Sequence, residues 1–141
     1  MNLSSISAFC SKPQTGLLIL RVAAGLTMLL HGIPKFIGGA ETLSGVGKAV
    51  AMYGIDFNPL FWGILAALTE TVGGVFIMLG GVCFRAAAFF LSFVMLTAIL
   101  FLKPEFSLAA FGGYAHPWMM LWVFVALFFM GPGEYSLKRG K

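Results

Sequence analysis

The sequence predicts an all-α fold: a four-transmembrane-helix antiparallel bundle with a short interfacial helix after its first span. Three observations predict it. Of 141 residues, 60% are hydrophobic and 10% charged, against about 45–50% and 25% in ordinary soluble domains. Four apolar runs of near-membrane length are separated by short polar connections, and such runs cross a bilayer as helices because a helix satisfies its own backbone in hydrocarbon. Inside those runs, ionisable side chains are few enough to name one by one. The four runs leave no room for a second unit, so residues 1–141 read as a single membrane domain. The net charge of +4 resides beside and between the runs. Basic residues placed there orient membrane helices, and no nucleic-acid partner is implied.

The first span, residues 16–33, follows Lys12-Pro13, with Thr15 as its expected cap and Pro34 as its expected interruption. In the connection after it, Leu43, Val46, Val50 and Tyr53 recur at helical spacing. That pattern predicts an amphipathic helix over residues 41–53, whose glycines require the membrane surface or the bundle to hold it. Asn58-Pro59 is a cap and first-turn pair that opens the second span, residues 59–79, and Gly80-Gly81 ends it. The third span, residues 86–102, has only Ser92 and Thr97 as polar groups. The fourth, residues 114–131, is aromatic-rich. Its apolar stretch from Pro117 to Met130 covers only about 20 Å at 1.5 Å per residue, so it must extend backward, tilt, or anchor through Trp118 and Trp122.

Cys10 and Cys83 are too far apart for a redox CxxC or a metal-ligand spacing, and the first fifteen residues lack a continuous apolar core, so the N-terminus is expected to be retained. With both termini in the cytoplasm, Lys12, Arg21, Arg85, Lys138, Arg139 and Lys141 lie inside and Lys35, Lys48 and Lys103 outside. That excess predicts a multi-pass plasma (inner) membrane protein with cytoplasmic ends.

On the first helix, Arg21, Gly25, Met28, Gly32 and Lys35 fall within a stripe about 80° wide, with His31 on its edge. On the second, Ala66, Ala67, Glu70, Gly73 and Gly74 share a face. Small residues allow close helix approach, which marks Gly25, Gly32, Gly73 and Gly74 as packing positions. Glu70 is the one acid in the other three spans, so an intramembrane Arg21–Glu70 ion pair is expected, either fixing helix register or exchanging protons. His31 and Lys35, joined by His116 at the start of the fourth span, form a separate outer polar site. They serve either as interfacial anchors or as a quinone or anion site, since imidazole donates protons and ammonium stabilises negative charge. The methionines read as packing rather than ligation, and no metal is expected. No catalytic residue is assigned.

RVAAGLTMLLHGIPKF in the first span, ETVGGVFIMLGGVCFRAAA across the second and third, VMLTAI in the third, and GPGEYSL near the end resemble the DoxX family of small four-helix membrane proteins. The family pattern maps onto Arg21, His31, Gly32, Lys35, Glu70, Gly74, Gly80 and Arg85. A departure is Lys138, where the family's terminal motif commonly has an acid. The resemblance implies a membrane subunit of a quinone-linked oxidoreductase or redox-stress complex, with quinone as a non-covalent cofactor and the lipid bilayer as surroundings. The chain has no CxxC, haem motif or dinucleotide fingerprint, so that reading requires a protein partner carrying the redox centre. Self-association into a homo-oligomer stays open. The alternative is a small transporter, channel or assembly factor without catalysis of its own, which no inverted repeat or broken helix supports.

Overall fold

The structure, a computed structural model, describes residues 12–102 and 110–137. The expectations for the N-terminal tail with Cys10, for Lys103 and for Lys138, Arg139 and Lys141 lie outside the described residues. In chain order the elements are α1 (Pro13–Ile37), α2 (Gly39–Gly47), a 3-10 helix (Lys48–Tyr53), α3 (Pro59–Leu79), α4 (Phe84–Phe101) and α5 (Phe111–Met130). α1, α3, α4 and α5 are each long and apolar enough to cross a membrane.

α1 exceeds the expected 16–33 at both ends. Lys12 is its N-cap and Pro13 occupies the first turn, where a missing N–H costs nothing, so Thr15 is not the cap. Pro34 does not stop it. That residue faces outward, away from α3, so its ring crowds only its own turn, and its carbonyl accepts from Gly38 N–H at 2.9 Å. The helix is about 37 Å long at 1.5 Å per residue.

α3 has the bounds its local signals dictate. The Asn58 side chain accepts from Phe61 N–H at 3.2 Å, Pro59 opens the first turn, and Gly80 closes the helix at φ 68°, donating to Phe76 O at 2.9 Å. α4 begins at Phe84, two residues before the expected start. α5 begins at Phe111, three residues before the expected start, taking Gly112-Gly113 into the helix. Pro117 then costs the hydrogen bond of one carbonyl, that of Gly113. In return the helix gains enough turns to reach about 30 Å.

Three of the four marked glycines set the α1–α3 contact. A Cβ on Gly25 would strike the Gly74 carbonyl and Met78, one on Gly74 would meet the Gly25 carbonyl, and one on Gly32 would strike Thr71 and the Ala67 carbonyl. The helices therefore run antiparallel with Gly25 level with Gly74 and Gly32 level with Ala67 and Thr71. Gly73 faces the other way, onto the Leu91 side chain of α4. The interfacial segment is held by the bundle: Gly47 abuts the backbone of α3 at Pro59 and Gly63, while Gly63 abuts Leu43. Its last six residues, Lys48–Tyr53, are 3-10 rather than α.

Met28 of α1, Ile77 of α3, Phe84, Ala88 and Leu91 of α4, and Phe124 and Leu127 of α5 meet in the core. Met95 and Met120 are buried as packing groups, whereas Met119 and Met130 are exposed on the outer face of α5. At one end of the bundle the start of α1 meets the chain after α5: Gln14 Oε1 accepts from Glu134 N–H at 3.1 Å, and Leu137 N–H donates to Leu79 O at 3.2 Å. Both described ends of the chain thus lie on the same side.

Candidate functional site

The charged groups within the spans are not partnered as the sequence predicts. Glu70, 3% exposed, accepts from the Lys35 ammonium, and this is the one ion pair among the described residues. Arg21, 2% exposed, donates instead to the carbonyls of Pro132 (3.0 Å) and Tyr135. The expected Arg21–Glu70 pair is therefore corrected, and the cause is register plus side-chain direction. Aligning the helix ends, Gly16 with Leu79, would put Arg21 level with Gly74, but the glycine contacts bring Gly25 level with Gly74 and so Arg21 level with Met78, two turns from Glu70. The Arg21 guanidinium occupies the space a Cβ on Gly80 would need. Helical side chains also lean toward the N-terminus of their own helix. In an antiparallel pair that sends Arg21 and Glu70 in opposite directions, while Lys35 and Glu70 converge.

The same geometry merges two sites that the sequence kept apart. Lys35 lies one turn beyond Gly32, leans back along α3 and reaches Glu70. The His31 and His116 rings, from α1 and α5, stack with centroids 4.1 Å apart and a 32° tilt. His31 is on the outer surface of α1, whereas His116 is half-buried, with no hydrogen-bond partner for its Nε2 among the described residues. His116 is also within electrostatic reach of both Glu70 and Lys35. Four ionisable groups from three helices thus form one cluster. No group of three or more His, Cys, Asp or Glu side chains among the described residues could hold a metal ion.

The Lys35–Glu70 pair forms the polar end of a cavity of about 410 Å³ between the interfacial segment, α3 and α4. That size falls within the roughly 300–1,000 Å³ of small-molecule sites. Val46 and Val50, two members of the amphipathic stripe, form one wall, Leu65 and Trp62 a second, and Phe93 and Val94 a third. At the edge, Tyr53 stacks on Phe93 with centroids 6.2 Å apart, and its hydroxyl is 3.2 Å from Thr97 Oγ1. Because Thr97 already donates to Phe93 O at 2.9 Å, Tyr53 is the donor.

Thr69, also on the wall, donates to Leu65 O within its own helix. Two side chains on the cavity therefore have donors to spare among the described residues: the Lys35 ammonium, with three N–H groups of which one is committed to Glu70, and the Trp62 indole, whose buried Nε1–H has no hydrogen-bond partner. Sequence reasoning missed the cavity, Trp62 and Tyr53. The signal available was Thr97, one of two polar groups in an otherwise apolar span and on the level of an aromatic hydroxyl from the preceding connection.

A family model, DoxX, matches residues 16–104 of the chain. That stretch contains α1 from Gly16 onward, the interfacial segment, α3 and α4, and with them Lys35, Glu70 and the whole cavity wall. No curated protein matches the chain, and no solved structure does.

Proposed function

We propose that this chain, which belongs to the DoxX family, binds a lipid-soluble quinone and serves as the membrane subunit of a quinone-linked oxidoreductase or redox-stress complex. One observation carries the reading: an apolar cavity of about 410 Å³ ends on a paired ammonium and carboxylate. A quinone takes two electrons and two protons and becomes a quinol, so its oxygen changes from hydrogen-bond acceptor to donor. Lys35 supplies a donor for the carbonyl form, and Glu70 an acceptor for the hydroxyl form.

The stacked imidazoles would carry protons between the surface at His31 and Glu70, since imidazole donates and accepts near neutral pH. Electrons come from a redox centre on a partner protein. The reading places the chain in the inner membrane with both ends cytoplasmic, supported by the excess of basic residues on that side. A reporter fused after Lys141 should be active only in the cytoplasm.

The test is purification in mild detergent, solvent extraction and mass spectrometry of the extract. Wild type should retain quinone, and Lys35→Met and Glu70→Gln should lose it while folded protein is still recovered. Wild-type quinone content no higher than that of an unrelated four-span protein prepared alongside would overturn the reading.

A further inference from the structure

A second depression, of about 400 Å³, runs along the seam between α3 and α4 on the outer face of the bundle. Its walls include Val72 and Phe76 of α3 and Ala86 of α4, and it reaches Cys83 at the start of α4. Thr69 and Phe90 line both this groove and the cavity. The two spaces are therefore neighbours across these two side chains, beside Glu70. From Glu70 to Phe76 the helix rises about 9 Å, away from the Lys35–Glu70 pair and toward the end where the chain termini meet.

We infer that the molecule bound at Lys35–Glu70 carries a long apolar tail, and that this tail leaves the cavity past Thr69 and Phe90 to lie in the α3–α4 groove. The inference rests on the proposed occupancy of the cavity and adds the class of molecule: a polar ring on a polyprenyl or comparable chain, rather than a compact ring alone. The wall of Thr69 and Phe90 that the two spaces share carries the argument. The wall materials agree with it, because past the Lys35–Glu70 pair the route is lined almost wholly by apolar side chains, and the Thr69 hydroxyl is committed to Leu65 O. Phe90, 56% exposed, stands at the junction with its ring free of the core.

A tail in this groove leaves lipid that is equally apolar, so it gains close packing and not hydrophobic transfer. Each well-placed pair of heavy atoms contributes little, and much of that is offset by lost lipid contacts. The expected preference is therefore modest, about five- to tenfold.

The experiment compares a long-chain polyprenyl quinone with the same ring bearing a methyl group in place of the tail, both radiolabelled and in nanodiscs of one lipid, by saturable binding above that of protein-free nanodiscs. Concentrations are expressed per lipid so that partitioning cancels. Wild type should prefer the long chain by that factor. Ala86→Trp, at an exposed position of the groove, should abolish the preference without changing affinity for the tail-less ring, and Val72→Trp should repeat the result from the opposite wall. Equal affinity of wild type for both ligands, or equal weakening of both by the two variants, would show that ordinary lipid fills the groove and overturn the inference. Binding of neither ligand by wild type would instead overturn the cavity reading on which it rests.

Discussion

α1 carries a cation toward each end, Arg21 buried and Lys35 half-buried, and the two are satisfied in different ways. Arg21 is wrapped by backbone: its guanidinium lies over the C-terminus of α3 at Gly80 and donates to Pro132 and Tyr135 in the segment after α5. Carbonyls at a helix C-terminus carry partial negative charge, so they stabilise a cation there without a carboxylate. Lys35 is satisfied by one acid, and the resulting pair opens onto a cavity. A charge enclosed by main chain on several sides has no remaining surface for a ligand and acts as a rivet. A charge pair with an empty side has donors and acceptors to offer. The difference separates a charge with no face left for a ligand from one that has such a face, where their common depth in an apolar sequence does not.

The largest effect expected from this contrast is at the rivet. Truncation after Gly131 leaves the Arg21 cation buried without its carbonyl partners, and breaking a buried charge arrangement in this way costs about 3–5 kcal/mol. Arg21→Met leaves only neutral carbonyls short of donors, about 1–3 kcal/mol. Combining the two should cost less than the sum, because they remove the same interaction. Denaturation in detergent micelles reads all three. Additive losses would mean that Arg21 and the C-terminal segment stabilise the bundle independently.

Gly80→Ala sharpens the same point. Its φ of 68° strains any residue with a Cβ, and that Cβ would also displace the Arg21 guanidinium. Gly54, at φ 77°, has the first problem but nothing nearby to meet a Cβ. Gly54→Ala should cost about 1 kcal/mol and Gly80→Ala about 2–3. Equal costs measured for the two would remove Arg21 from the explanation.

What could be read from the sequence divides along the same line between local and non-local causes. The bounds of α3 were legible because Asn58-Pro59 and Gly80 act within one turn of themselves. So was the inward direction of Glu70, which shares its face with Ala67, Gly73 and Gly74. The passage of α1 through Pro34 was not, because whether a proline ring is tolerated depends on the outward direction it takes in the bundle. The partners of Arg21 were hidden for another reason: they are main-chain carbonyls, present in every residue and therefore invisible to a search for acids. Helix-end alignment stood in for the α1–α3 register, and the true register follows from which glycines touch. The cavity has walls from three elements, and none of them encodes it alone.

At the other end of α1, Lys35→Met and Glu70→Gln should each destabilise the protein by less than truncation does. The neutral partner left behind in Glu70→Gln still bonds to Lys35, and a lone charge near the middle of a span costs about 2.5–3.5 kcal/mol at most on insertion scales. Both variants should nevertheless lose bound quinone almost completely. Loss of stability without loss of ligand would make this pair a second rivet and erase the contrast between the two ends.

The smallest structural effect is expected at His31. It is exposed on α1, its ring touches His116 on one face, and no side-chain hydrogen bond holds it among the described residues. Removing a partly solvated aromatic contact costs about 0.5–1.5 kcal/mol, so His31→Ala should give nearly normal amounts of folded protein. If the stacked rings serve only to seat α5 against α1, retained quinone should match wild type, and His31→Phe should do as well as the parent because it preserves the stack. If they carry protons to Glu70, His31→Phe should fail as His31→Ala does: bound quinone would persist, but its reduction by the native partner would slow by about 10²-fold or more, the usual scale of a lost acid–base group. Phenylalanine distinguishes the two because it retains the ring and removes both nitrogens. A fully active His31→Phe variant would reduce the histidine pair to packing and leave Lys35 and Glu70 as the whole of the site.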